Sequence, residues 1–189
     1  MILLKGLNKL LNSWKKWVDF KKNLNPLTGI YFSMPDLEET KSRTLELFDE
    51  RFNCGQSVIK AMTEALEMPP IQSTELIRAA TVLGAGMSQQ GRDCGALQAA
   101  AWVLGIKYGT VDPNQPRKPT YDKVRELYKM FGQRFGSVLC SDLTEYNLST
   151  EEGRQKFDIK HIHGNVCPKY VGGVIEILFG LMEYSNKQK

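Results

Sequence analysis

The sequence predicts an all-α protein, with a single bundle-like domain of about six or seven helices preceded by an N-terminal amphipathic helix. Apolar residues recur at three- and four-residue spacing along most of the chain, which is the period of an α-helix. Prolines and glycines divide this pattern into segments of helical length, and no segment alternates apolar and polar residues as a half-buried strand does. With 189 residues, 42% hydrophobic and 24% charged, the chain can build one ordinary core.

The first predicted element is a basic amphipathic helix over residues 1–24. Leucines and Trp14 share one helical face, and lysines that include Lys5, Lys9 and Lys16 lie roughly opposite. Such a helix suits the surface of an anionic membrane, a groove on a partner protein, the protein's own domain or a second copy of the chain. The sequence does not decide which of these surfaces the helix binds.

A linker is predicted over residues 25–37, where Asn25-Pro26 and Met34-Pro35 interrupt the helical pattern. One helical domain follows over residues 38–185. The chain contains no run of 18 uninterrupted apolar residues, and its start lacks the pattern of a secretory signal. We therefore expect a cytoplasmic protein, peripheral to the membrane if the N-terminal helix binds there.

The domain's helices are predicted from six apolar faces and one polar segment. The polar helix is predicted from Ser149 and Glu152, which form a capping-box signature, and it runs toward His161. In chain order, the apolar faces contain Leu45 and Phe48; Val58, Ile59, Met62 and Leu66; Leu76, Ile77, Ala80 and Leu83; Leu97, Ala101, Leu104 and Tyr108; Val124, Leu127, Tyr128, Phe131 and Phe135; and Val171, Val174, Ile175, Leu178, Leu181 and Met182.

Prolines and glycines mark where these helices end, because proline lacks a backbone donor and glycine accepts the left-handed cap conformation. A loop is predicted over residues 112–119, which contain three prolines. The predicted helix ends are Pro69-Pro70, Gly84 with Gly86, Gly109 and Gly136.

The charge of the chain is unevenly distributed. Six lysines oppose one aspartate within residues 1–25, so the rest of the chain holds 19 basic and 20 acidic residues. A nearly neutral body offers no general basic surface for a polyanion. We therefore expect no nucleic-acid partner.

Four cysteines are the chain's chemical feature, and three of them are predicted to begin helices. Cys54 follows Asn53 and Cys94 follows Asp93, both favoured capping residues, while Cys167 precedes a proline. Unpaired backbone N–H groups at a helix start favour a thiolate, which is the nucleophilic and metal-binding form. A reducing compartment also argues against four thiols as plain structural disulfides.

Cys140 lies in a different setting, in a segment that predicts a short turn rather than a long helix. Free cysteines are often simply small buried hydrophobes, and this interpretation also applies to the other three. The polar, glycine-bearing neighbours of the four cysteines favour a function instead. No Cys-x-x-Cys pair occurs, so a joint site requires the fold to bring distant thiols together.

Four linked motifs carry a family resemblance over approximately residues 40–184. They are Asn53-Cys54-Gly55-Gln56-Ser57-Val58; Cys94-Gly95-Ala96 before Leu104-Gly105-Ile106-Lys107-Tyr108-Gly109; Phe135-Gly136-Ser137 leading to Cys140; and Cys167-Pro168-Lys169-Tyr170-Val171. This pattern resembles the C-GCAxxG-C-C family of redox-active proteins, and more distantly the cysteine-bearing region of split-Soret cytochromes, which carries an iron–sulfur centre.

The resemblance implies a redox role in which Cys54, Cys94, Cys140 and Cys167 are ligands or redox thiols. Ala99 stands where the family's central motif usually ends in glycine, a small departure. The chain has no Cys-x-x-Cys-His sequence for covalent haem attachment, so we expect no c-type haem.

The leading hypothesis is an electron-transfer protein that binds an iron–sulfur cluster through the four thiolates and exchanges electrons with a redox partner of unknown identity. Two alternatives stay open: a metal-free thiol–disulfide oxidoreductase, and a membrane-surface or partner-binding adaptor that acts through residues 1–24. His161 and His163, the only histidines, are candidates for an extra ligand or proton donor, although surface placement is the simpler expectation. Asp93 and Asp142 are candidates for acid–base partners of neighbouring thiols, or for helix caps.

Overall fold

The structure of the protein is a computed structural model that describes residues 35–187. The predicted helix over residues 1–24 and most of the predicted linker over residues 25–37 lie outside the described residues.

Ten helices follow one another in this part of the chain, and seven of them have nine or more residues. No strand occurs between residues 35 and 187. The all-α prediction is confirmed. The helices are α1 (Leu37–Asp49), α2 (Cys54–Ala65), α3 (Pro70–Ala79), α4 (Gly84–Met87), α5 (Gly95–Tyr108), α6 (Lys118–Phe135), α7 (Cys140–Thr144), α8 (Glu151–Ile159), α9 (Ile162–Asn165) and α10 (Pro168–Lys187), with a 3-10 turn (Ala80–Leu83) between α3 and α4.

Helix α5 lies at the centre of the bundle, packed against α2, α6 and α10, while α1 packs on α2 and α10. Its small residues, such as Ala96 and Ala100, are fully buried and allow neighbouring helices to approach closely. Large side chains fill the remaining core, among them Phe131 of α6 and Phe179 of α10. Burial of each such side chain contributes about 1.5–3 kcal/mol. Among residues 35–187, no helix combines the length and apolar character needed to cross a membrane.

Most predicted helix ends agree with the structure, with two local corrections. Gly136 ends α6 in the left-handed conformation at φ 87°. The predicted loop over residues 112–119 ends early, because Pro119 occupies the first turn of α6, where its missing N–H has no cost. The predicted Ser149 cap is wrong by one residue: Thr150 caps α8, and its hydroxyl accepts a 3.1 Å hydrogen bond from the Gly153 N–H.

A left-handed turn begins within α4 and continues into the segment before α5. Five consecutive residues, Ala85 to Gln89, have positive φ values between 52° and 67°. Four of them carry a Cβ, for which this conformation costs roughly 1–2 kcal/mol per residue. Backbone hydrogen bonds offset this strain, including Ser88 N–H to the Val82 carbonyl at 2.8 Å and Arg92 N–H to the Gly86 carbonyl at 2.9 Å.

Candidate functional site

The four cysteines all lie at or directly before helix starts. Cys54 is the first residue of α2, Cys140 is the first residue of the short α7, and Cys167 directly precedes α10. Cys94 is the N-terminal capping residue of α5 itself, so the prediction that Asp93 caps this helix is wrong. We call these four residues the four-cysteine site.

All four cysteines line one cavity of 330 Å³. Cys94 and Cys140 are buried, and Cys54 and Cys167 are partly exposed. The four thiols are free. The other walls are largely apolar or aromatic and include Phe48, Leu143, Phe157, Tyr170 and Val171. The fold thus brings together residues that lie far apart in the sequence.

The position of Cys54 is fixed by a complete capping box at the start of α2. The Asn53 Oδ1 atom accepts hydrogen bonds from the N–H groups of Gly55 (3.0 Å) and Gln56 (2.9 Å). The Gln56 side chain in turn accepts the Asn53 N–H at 3.3 Å. The Asn53 amide also donates to the Thr81 carbonyl at 3.0 Å, which ties the start of α2 to the 3-10 turn.

Cys94 and Cys140 are held side by side by an antiparallel backbone bridge. The Cys94 N–H donates to the Val138 carbonyl at 2.8 Å, and the Cys140 N–H donates to the Arg92 carbonyl at 2.7 Å. Neither bond depends on a side chain. The bridge therefore joins the start of α5 to the start of α7 by the backbone alone.

Two glycines allow the close approach of the segments that carry the thiols. A Cβ at Gly95 would lie 2.7 Å from the Cys54 Sγ atom and 2.3 Å from the Leu83 carbonyl oxygen. A Cβ at Gly86 would lie 2.7 Å from the Cys140 Cβ atom, and Gly86 also has a φ of +67°. Side chains larger than hydrogen do not fit at either position.

Burial dominates the electrostatics of the site. Desolvation raises the pKa of all four thiols, and raises it to about 12 for Cys140 and for Cys167. The neighbouring Cys54 adds to this rise for each of the other three. Although Cys54 retains some exposed surface, protein atoms surround its sulfur. Two thiolates in this volume would repel each other, so the neutral thiols are favoured unless a cation is present.

Backbone N–H groups oppose the effect of burial at two of the thiols. Hydrogen bonds from Ala85, Gly55 and Ala96 lower the pKa of Cys54, although desolvation is the larger effect. Those from Leu97 and Ala96 act in the same way on Cys94. Ala85 belongs to the left-handed turn, so this strained segment supplies a donor to a sulfur. The contribution of Ala85 could not be predicted from the sequence, because only the fold brings Ala85 to Cys54.

The two histidines occupy different surroundings. His163 lines the cavity, and its ring stacks on Phe48 with a centroid distance of 4.0 Å and an interplanar angle of 19°. Desolvation lowers the pKa of His163. Both histidines are exposed, as expected, and His161 directly precedes α9 without a capping hydrogen bond from its side chain. The structure thus brings only His163 to the cavity, where it lies beside an aromatic wall.

The two aspartates next to cysteines have hydrogen-bond partners in the structure. Asp142 is exposed and accepts a 2.7 Å hydrogen bond from the Ser137 hydroxyl. The Asp93 carboxylate accepts a 2.9 Å hydrogen bond from the Tyr128 hydroxyl. Tyr128 was predicted only as part of an apolar helix face, so its role beside Cys94 was missed.

Within residues 35–187, no group of three or more His, Cys, Asp or Glu side chains is arranged to hold a metal ion. The geometry of the site is therefore that of four thiols distributed around a cavity.

Comparison with known proteins agrees with the resemblance drawn from the cysteine motifs. Residues 52–181 match the profile of a family described as "Putative redox-active protein (C_GCAxxG_C_C)". A relative from Archaeoglobus fulgidus, described as "Uncharacterized protein", is 31% identical over 153 residues, which cover 76% of this chain and 93% of the relative. No solved structure matches the chain.

Proposed function

The chain belongs to the C_GCAxxG_C_C family of redox-active proteins, and from this premise we propose that it is an electron-transfer protein whose four-cysteine site binds an iron–sulfur cluster. The proposed ligands are Cys54, Cys94, Cys140 and Cys167. The observation that carries the proposal is the convergence of all four cysteines on one cavity. Thiolate is the ligand that iron–sulfur clusters use most, and four thiolates are the usual number of protein ligands to one cluster.

The size of the cavity supports a group larger than one ion. Its 330 Å³ lies at the lower end of small-molecule and cofactor sites, about 300–1,000 Å³. The cysteines of a cluster bind different iron atoms, so their sulfurs surround a volume rather than one point. Four thiols around a cavity fit this requirement.

A cluster at this site would have to offset the cost of burying four thiolates. Burial and mutual repulsion raise the pKa of the thiols, and iron ions would compensate both effects because they favour the deprotonated ligand. The N–H groups of Ala85 and Gly55 support the Cys54 thiolate directly. Hydrogen bonds to cluster sulfurs are among the factors that set a reduction potential.

In this proposal the protein holds the cluster through its cysteines and influences the reduction potential of the cluster. A bound cluster would supply reversible one-electron transfer. Phe48, Leu143, Phe157 and Val171 give the cavity an apolar lining, and an apolar surrounding also influences the potential of a cluster. The capping box at Asn53 and the backbone bridge at Cys94 fix the ligands in place.

The proposal is tested by absorption spectroscopy on protein purified under nitrogen. We expect a brown protein whose visible absorption bleaches with dithionite and returns on reoxidation. A colourless protein with four titratable thiols would contradict the proposal. Zinc in place of iron would indicate a structural site instead.

The metal-free thiol–disulfide oxidoreductase is the second candidate, and it has less support. Disulfide exchange requires an attacking thiolate, whereas burial raises the pKa of all four thiols. Mass spectrometry after mild oxidation separates the two candidates. One defined cysteine pair in iron-free protein would favour the oxidoreductase, and random or absent pairing would count against it.

A further inference from the structure

Tyr128 and Asp93 form a hydrogen bond beside the four-cysteine site. The Tyr128 hydroxyl donates to the Asp93 Oδ2 atom at 2.9 Å, from α6 across to the residue that precedes Cys94. Both side chains are partly buried. A carboxylate in such a position is less screened by solvent than a surface carboxylate.

Tyr128 is suited to remain a neutral hydrogen-bond donor. Desolvation and the Asp93 carboxylate raise its pKa, and the nearby Cys94 adds to this rise. The influence of Cys94 also indicates that a charge on its sulfur is felt at the Tyr128 hydroxyl. The Tyr128 hydroxyl thus interacts both with the Asp93 carboxylate and with the Cys94 sulfur, and it links the two neighbouring residues.

The backbone next to Asp93 is held by other groups. The Gln98 amide donates to the Asp93 carbonyl at 2.7 Å, and the Cys94 N–H donates to the Val138 carbonyl at 2.8 Å. The Tyr128 hydroxyl is thus not required to hold the backbone at Asp93. What it fixes is the direction of the Asp93 carboxylate.

We propose that Tyr128 holds the Asp93 carboxylate beside Cys94, and that this fixed negative charge lowers the reduction potential of the four-cysteine site. The inference rests on the proposed function. A negative charge near a redox centre opposes the addition of an electron, because the reduced state carries one more negative charge. Asp93 is the charge-setting residue and Tyr128 is its positioning residue. In the step concerned, the centre takes one electron from an added reductant, and Asp93 exchanges neither a proton nor a bond.

The test is a reductive titration of the full chain and its variants, after the iron content of each has been measured. We expect Asp93→Asn to favour reduction about tenfold, a rise in potential of about 59 mV for one electron. Tyr128→Phe should raise the potential less, because the released carboxylate turns toward solvent. In the Asp93→Asn background, Tyr128→Phe should add little, since no carboxylate is left to position.

Two matched controls come from the same regions of the chain. Asp142→Asn removes an exposed carboxylate two residues after Cys140, and Tyr121→Phe removes an exposed hydroxyl from the same helix as Tyr128. Both should leave the potential unchanged, because solvent screens these groups. Asp93→Glu keeps the negative charge that Asp93→Asn removes, so its reduction potential should lie close to that of the original chain.

The outcomes separate this inference from the proposed function. An original chain without iron contradicts both. Iron-loaded variants in which Asp93→Asn moves the potential no further than Asp142→Asn overturn the inference alone. Additive effects of Asp93→Asn and Tyr128→Phe also overturn it. If Asp93→Asn fails to fold, Tyr128→Phe and Asp93→Glu decide the matter, since an unchanged potential in Tyr128→Phe removes the positioning role.

Discussion

The sulfur of Cys54 packs directly against the backbone of Gly95, at a distance that leaves no space for a side chain there: an added Cβ would lie 2.7 Å from the sulfur. Cys54 begins α2 and Gly95 begins α5, so this contact joins the starts of two central helices. It brings Cys54 next to the segment that carries Cys94. The geometry of the four-cysteine site therefore depends on a residue without a side chain.

We expect Gly95→Ala to destabilise the protein by about 1–3 kcal/mol, the usual cost of overpacking, and to reduce its iron content. The new methyl group would collide with the Cys54 sulfur and the Leu83 carbonyl. Urea unfolding and iron analysis measure the two effects. Gly105→Ala on the same helix is the control, because its Cβ would meet nothing within 4 Å. That variant should be stabilised by roughly 0.5–1 kcal/mol. An equal change in unfolding free energy and in iron content in the two variants would contradict the packing argument.

Removal of the α2 cap should loosen Cys54. Asn53→Ala loses the hydrogen bonds to the Gly55 and Gln56 N–H groups, at a cost of about 0.5–2 kcal/mol in the free energy of unfolding. We also expect weaker cofactor retention, measured as iron lost to a chelator over time. Thr150→Ala removes the cap of α8, whose start carries no cysteine, and should cost similar stability without faster iron loss. Equal iron loss in both variants would argue against a specific role of the α2 cap.

The metal-free protein should lose stability as the pH rises above about 8.5. An unfolded cysteine titrates near pH 8.5, whereas burial raises the pKa of Cys140 and of Cys167 to about 12. Between these values the unfolded chain binds fewer protons than the folded one, so the free energy of unfolding falls with pH. Each such thiol contributes up to about 1.4 kcal/mol per pH unit.

Urea unfolding of the metal-free protein at several pH values measures this slope. The variant with both Cys140→Ala and Cys167→Ala should show a shallower slope over the same range. A stability that stays level or rises between pH 8.5 and 11 would show that these thiols are not desolvated as the structure indicates.

The helices of the bundle could be predicted from the sequence because their information is local. The apolar faces of α5 and α10 repeat at helical spacing, and Gly109 and Gly136 mark ends that the structure confirms. The capping residue Asn53 was likewise recognised from its type and position. Each of these features depends on residues only a few positions apart.

The left-handed turn and the cavity could not be predicted in this way. Ala85, Met87 and Gln89 adopt positive φ values that their own preferences oppose, and backbone hydrogen bonds within residues 82–92 hold them there. The contact between Gly95 and Cys54 likewise depends on how α2 meets α5. Local patterns contain no information about such contacts between distant segments, which is why Tyr128 was also missed.

The N-terminal basic helix stays a prediction that a binding measurement can test. We expect the full chain to bind vesicles with anionic lipids more tightly than zwitterionic vesicles, and added salt to weaken this preference. Replacing Lys5, Lys9 and Lys16 with glutamine should lower the affinity. Binding that does not change in this variant would remove the membrane from the candidate partners.

The most direct test of the central claim is the iron and acid-labile sulfide content per chain, measured on anaerobically purified protein and on the four single Cys→Ser variants. We expect iron and sulfide in stoichiometric amounts in the original chain, and a clear loss of both in each variant. The variants are Cys54→Ser, Cys94→Ser, Cys140→Ser and Cys167→Ser. An original chain free of iron and sulfide, or full retention of both in every variant, would contradict a cluster held by these four cysteines.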